Sequence, residues 1–217
     1  STFENSYFDR SLEQYTQGKG SVDIYWQHSR NDLKIKIGAG AAYLLGVENI
    51  ASSLLYYPQL ELYYQKPGNV LSPYLIAEGG VHFNTYKNLA ATNPYLAPTT
   101  LLTPTFNQYN ASLGIRSQLA SVLNFDLGFI YDQVENFNYF ERLPFDSSYQ
   151  DESYRLSNAF AAKYSNTDLY GFKASLRSDL AKDNFVRFET RYRLFETNGN
   201  QELWNIPALE MNWESQF

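Results

Sequence analysis

The chain has 217 residues, a formal net charge of −6 and no cysteine; its length suits one domain, and its scattered basic residues exclude a nucleic-acid binder. Without cysteine there are no disulfides, thiolate metal sites or thiol nucleophiles, and no run of about 18 apolar residues could cross a membrane as a helix. The composition is instead aromatic, with 19 Tyr, 15 Phe and 3 Trp at a mean hydropathy of −0.44, a balance that suits an interface between grease and water better than a core full of buried hydroxyls.

Period-two alternation then recurs along the chain, predicting roughly ten strands and almost no helix. SVDIYWQHS sets Val22, Ile24, Trp26 and His28 against Asp23, Tyr25 and Gln27. LKIKIGAGAAY sets Leu33, Ile35, Ile37, Ala39, Ala41 and Tyr43 against Lys34, Lys36, Gly38 and Gly40, and QLELYYQ sets Leu60, Leu62 and Tyr64 against Gln59, Glu61 and Tyr63. Beyond the breaker Lys66-Pro67-Gly68-Asn69, the residues Leu75, Ala77, Val81 and Phe83 oppose Tyr74, Glu78, His82 and Asn84. Tyr109, Ala111, Leu113 and Ile115 form the apolar face of the next segment, and Leu123, Phe125, Leu127, Phe129 and Tyr131 that of the one after. LYGFKASLRSDL and NFVRFETRYRLFE place Lys173, Arg177, Arg187, Arg191 and Arg193 opposite Tyr170, Phe172, Leu176, Phe188, Tyr192 and Leu194; LEMNWESQF closes the series with Leu209, Met211 and Trp213 on one face.

The connections alternate in length. Those near Arg30, Pro67, Ala120 and Lys182 are tight, whereas those around 47–55, 85–107 and 138–167 are long and rich in Asn, Tyr, Pro and Ser. In an up-and-down antiparallel sheet this sorts tight turns to one rim and long loops to the other, the layout of an outer-membrane barrel with short periplasmic turns and long extracellular loops. Aromatic residues near the strand ends, Trp26, Tyr43, Tyr64, Phe83, Tyr109, Tyr131, Tyr170, Phe195 and Trp213, are the expected interfacial girdles. The fold expected is therefore an all-β, up-and-down antiparallel transmembrane β-barrel of about ten strands. Residues 1–217 form either a single barrel domain or a portion of a larger barrel: a pattern that starts and stops abruptly favours the portion, while a final Phe217 after Met211 and Trp213 resembles the ending of a complete barrel.

Three stretches carry a resemblance: NPYLAP at Asn93 to Pro98, AAKYSNTDLYGFKASLRSDL followed by AKDN, and NFVRFETRYRLFETNGNQELWNIPALEMNW with its Trp204 and Pro207. They resemble the barrel of Bacteroidota outer-membrane proteins of the TonB-dependent-receptor-like group. That resemblance implies a transport barrel in the Gram-negative cell outer membrane and carries over no functional residue. No plug or TonB box is visible, so TonB is not expected to be contacted by this segment itself.

No catalytic residue, metal ligand set or cofactor is expected, and the chain is read as a non-enzyme. His28 and His82 stand far apart in sequence, and the loop carboxylates Asp146, Asp151 and Glu152 lack the spacing of a calcium loop. The candidate functional feature is a lumen charge strip of Lys173, Arg177, Arg187, Arg191 and Arg193 with Asp179 and Glu189. It is either a ladder of cross-strand ion pairs or a basic wall that favours anionic solutes. Porin-like passage of small solutes or nutrients is the leading function; a non-transporting structural or surface-interaction barrel and a soluble aromatic-rich β-sandwich that binds carbohydrate are the alternatives. The expected partners are outer-membrane lipid and lipopolysaccharide, with proteins at the extracellular loops and no nucleic acid.

Overall fold

A computed structural model describes residues 2–9, 14–46, 53–66, 70–120, 122–145, 159–181, 184–199, 203 and 206–216. Ten strands follow one another in a single sheet: β1 (Thr2–Asp9), β2 (Gln14–Arg30), β3 (Leu33–Leu45), β4 (Leu54–Tyr64), β5 (Leu71–His82), β6 (Thr105–Ala120), β7 (Leu123–Arg142), β8 (Phe160–Ala181), β9 (Asn184–Thr197) and β10 (Leu209–Gln216). Every neighbouring pair is antiparallel and spatial order equals chain order. This is the expected all-β, up-and-down architecture. Among the described residues β1 pairs only with β2 and β10 only with β9, so the sheet is an arc with two open edges.

The registers carry the apolar positions into continuous rows. Leu113, Phe129, Phe172, Tyr192 and Leu209 stand side by side across five strands, and the next row runs through Ile115, Leu127, Ala174, Thr190 and Met211. These rows face outward without cover: Leu113 is 59% exposed, Phe172 63% and Met211 62%. A water-soluble fold would bury such rows, because burial of apolar area is its main source of stability.

The opposite face is concave, since side chains two or three strands apart meet there. Tyr57 on β4 reaches across β3 to donate to Asp23 on β2 at 2.9 Å, and Tyr74 on β5 reaches across β6 to Asp126 on β7 at 2.7 Å. Lys19 on β2 donates to the carbonyl of Val81 on β5 at 3.1 Å. Glycines make these crossings possible. A Cβ at Gly40 would lie 2.0 Å from the Tyr57 ring, and one at Gly114 would lie 2.5 Å from the Tyr74 hydroxyl, so each tyrosine lies flat over a bare stretch of backbone.

Three features depart from the sequence reading. A bulge between Glu78 and Gly80 reverses the alternation, so Val81 turns inward to a buried cluster with Ala42, Leu44, Tyr57 and Phe106, and Phe83 packs against it. Phe83 is thus not a girdle residue, and His82 is exposed rather than on the polar wall. Residues 138–142 and 160–167 of the expected loop 138–167 are strand: β7 and β8 run 20 and 22 residues, about twice the 9 to 11 that cross a bilayer, so their hairpin projects beyond it. The loop 85–107 contains α1 (Tyr86–Thr92), whose N-cap Thr85 accepts from the Asn88 amide at 3.2 Å. β1 and the first turns of β2 also escaped the sequence reading, because TFENSYFD has too few apolar positions for the alternation to show.

If Tyr57 and Gly40 form one unit, Gly40→Val should cost about 1–3 kcal/mol by forcing the ring off its seat, whereas Tyr57→Phe should cost only about 1 kcal/mol through the lost hydrogen bond. The temperature at which the folded, heat-modifiable band is lost in detergent gels measures both.

Candidate functional site: the polar wall and its loop-end cover

The concave face is lined with charge arranged in local pairs. On the β2–β4 side Glu61 binds Lys36 at 3.0 Å and Lys34 at 3.5 Å, while Lys36 lies 4.7 Å over the Tyr25 ring. Asp23 also accepts from Gln59 at 2.7 Å. At the centre Asp126 receives the Tyr74 hydroxyl and the Arg116 Nε at 2.8 Å, and Arg116 stacks 4.6 Å above Tyr74. These contacts form because Arg116 and Asp126 stand directly opposite each other in the β6–β7 register.

The five cations singled out from sequence all fall on this wall, since β8 and β9 place Lys173 opposite Arg191 and Arg177 opposite Arg187. Three have carboxylate partners. Arg177 binds Asp179 at 2.8 Å, Arg187 binds Glu189, and Arg193 binds Glu210 of β10. Glu210 was not among the expected members; it stands opposite Arg191 in register but engages Arg193 diagonally. Asp132 of β7 feels the charges of Arg193, Arg191 and Lys173, and it too was missed, because its segment reads only as one more alternating strand. Phe195 shares the parity of Arg193, lies under its guanidinium at 5.7 Å and stacks on Phe137 at 6.2 Å. It therefore belongs to the inner wall, not to a girdle.

The remaining predicted girdle residues do point outward. Trp26, which stacks with His28 at 5.6 Å, Tyr64 and Trp213 lie toward the tight-turn end, and Tyr43, Tyr109, Tyr131 and Tyr170 lie toward the loop end. Tyr131 and Tyr170 stack at 5.4 Å and donate to Asp168 and Glu196 at 3.1 and 3.3 Å. Such residues keep an apolar body and a wet tip, as an interface requires.

The segment between β5 and β6 lies across the loop end. Thr100 Oγ1 accepts from the Ala162 amide of β8 at 2.7 Å, Tyr164 donates to the Leu101 carbonyl at 3.0 Å, and a short bridge joins Leu96 to Phe160. Burial pushes the Tyr164 phenol above its ordinary pKa, so it stays a donor. On the far side Gln17 of β2 donates to the Leu102 carbonyl at 3.0 Å, and Leu89, Leu96 and Leu102 pack with Ala162. A cleft of about 430 Å³ opens between this segment and the β7–β8 hairpin, lined by Thr99, Thr100, Thr103, Asn136, Lys163 and Tyr164 among others. The carboxylates Asp146, Asp151 and Glu152, and Trp204, lie outside the described residues.

No protein-family profile and no curated protein matches the sequence. Solved structures do match the fold. The pyoverdine outer-membrane receptor FpvA from Pseudomonas aeruginosa PAO1, bound to pyoverdine, aligns with a TM-score of 0.56 at 15% identity, covering 96% of this chain and 30% of that one. The FpvAI–pyocin S2 complex aligns at 0.54 and 16% identity over 91% of this chain and 25% of that one. The FrpB iron transporter from Neisseria meningitidis aligns at 0.52 and 11% identity over 85% and 27%. At these identities the likeness is one of fold: the wall of an outer-membrane barrel. The chain spans less than a third of the length of each.

Removing both loop anchors, with Gln17→Ala and Thr100→Val, should make residues 85–104 the first site of limited proteolysis while leaving the barrel core resistant. An unchanged cleavage pattern would show that the anchors do not hold this segment.

Proposed function

We propose that this chain is a wall segment of a Gram-negative outer-membrane transport barrel of the TonB-dependent-receptor-like type, and that it lines a path for small solutes or nutrients. The observation that carries the reading is the pairing of an uncovered apolar convex face with a charged concave face across one continuous up-and-down sheet. In hydrocarbon every backbone N–H and C=O needs an internal partner, and strands meet that need only when the sheet closes. The open edges of β1 and β10 are therefore completed by further strands. Three solved barrels into which the arc fits as 25 to 30% of a chain support completion within one polypeptide. Residues 1–217 are in this reading a portion of one barrel domain.

Several finer points belong to the same reading. The resemblance of three sequence stretches to Bacteroidota proteins supports an origin in that branch of the group. The tight turns face the periplasm, and the long connections and the β7–β8 hairpin face outward, where protein partners would meet them. The outward girdles contact outer-membrane lipid and lipopolysaccharide. The cargo of the matched proteins, pyoverdine and iron, fits an uptake role of this kind. A structural or adhesive barrel is the second reading, favoured by the ordered segment at 85–104 that covers the loop end.

The full-length protein should fractionate with the outer membrane and show heat-modifiable mobility. Phe172→Arg, in the middle of the convex face, should cost about 2–4 kcal/mol and sharply lower the assembled fraction, whereas Ser175→Arg on the concave face should be tolerated. Equal tolerance at both positions would point to a soluble sheet.

A further inference from the structure

Most cations of the polar wall are neutralised locally. Among the described residues Arg116, Arg177, Arg187 and Arg193 each bind a carboxylate, as do Lys34 and Lys36. Lys173 and Arg191 form no ion pair with any described residue, although they stand directly opposite each other in the β8–β9 register. Like charges facing across a strand pair are destabilising, and a wall built only to be stable would place a carboxylate in one of the two positions.

Three features hold the pair open. Lys173 runs over Gly128, where a Cβ would come within 3.1 Å of its Cε, and its ammonium sits 5.4 Å from the Tyr74 ring, a contact that orients the charge without cancelling it. Tyr74 in turn is fixed by Asp126. Glu210, the nearest carboxylate to Arg191 by register, is engaged by Arg193 instead. Asp132 is shared electrostatically among Lys173, Arg191 and Arg193 and makes no salt bridge with any of them, leaving three cations against two carboxylates in this part of the wall.

We infer that Lys173 and Arg191 form an anion-binding station on the concave wall, at mid-height between the tight turns and the loop end, that takes the carboxylate or phosphate group of a passing solute. This rests on the transport reading above and names the class of solute that the wall selects. Arg191 supplies the planar fork suited to an oxyanion and Lys173 a movable point charge, while Asp132 keeps binding weak enough for release.

The test uses the full-length protein in detergent, titrated calorimetrically with inorganic phosphate in one arm and citrate in the other, at fixed ionic strength in chloride. Saturable heat is expected in at least one arm, and the arm tells phosphate from carboxylate preference. Lys173→Gln and Arg191→Gln should each weaken it about tenfold, Lys173→Arg should retain it, and Lys36→Gln, which alters a neutralised pair elsewhere, should change it by less than about twofold. Neither charge-removing variant at the station should lower the heat-modifiable transition, because each relieves a repulsion. Absence of saturable heat in both arms, or equal losses in Lys36→Gln, would overturn the station. Retained heat-modifiability in that case would leave the barrel reading standing, so the two failures are distinguishable.

Discussion

The structure depends on the requirement that a strand in hydrocarbon leave no backbone hydrogen-bonding group unpaired. That requirement favours strand following strand in antiparallel pairing, and it makes the two faces of the sheet answer to different solvents. Nine consecutive ladders here meet it between the two outer edges of the sheet. Once register is fixed, side-chain parity decides everything else: one set of residues must be tolerated by lipid, and the other must satisfy its polar groups within the wall or in water.

The concave side shows how that second demand is met. Tyr57 and Tyr74 lie across glycines and hydrogen-bond to aspartates two strands away, which ties curvature to polar satisfaction. Arginines and lysines pair with carboxylates on the same or adjacent strands, so most of the charge holds the wall together and little is free to act on a solute. The distinction between a structural ladder and a selective surface, which alternation alone leaves open, thus comes down to individual residues. Arg193 pairs across strands with Glu210, Arg177 and Arg187 pair with carboxylates on their own strands, and Lys173 and Arg191 stand apart from both.

Much of this was legible in the sequence because the barrel rule is local. Leu113, Phe129, Phe172 and Tyr192 could be placed on one face from their own segments, and the tight turns near Arg30 and Ala120 from their neighbours. The errors arose where a local rule breaks. The Glu78/Gly80 bulge reverses parity, so Val81 and Phe83 turn in and His82 turns out, and no residue type announces that step except the Gly79-Gly80 pair. Phe195 has the residue type of a girdle but the register of the arginines, and register decides its side of the wall. Long-range partners such as Gln17 with Leu102, and the choice of Glu210 for Arg193 over Arg191, depend on curvature and rotamer and have no sequence signature.

The central claim is that the convex face meets lipid and the concave face meets water. With no native cysteine, single-cysteine variants from position 170 to 177 in the full-length protein can each carry a nitroxide in reconstituted bilayers. Accessibility to oxygen should peak at 170, 172, 174 and 176, and accessibility to a water-soluble nickel chelate at 171, 173, 175 and 177, with a period of two. A pattern in which the chelate reaches both faces equally would contradict the account.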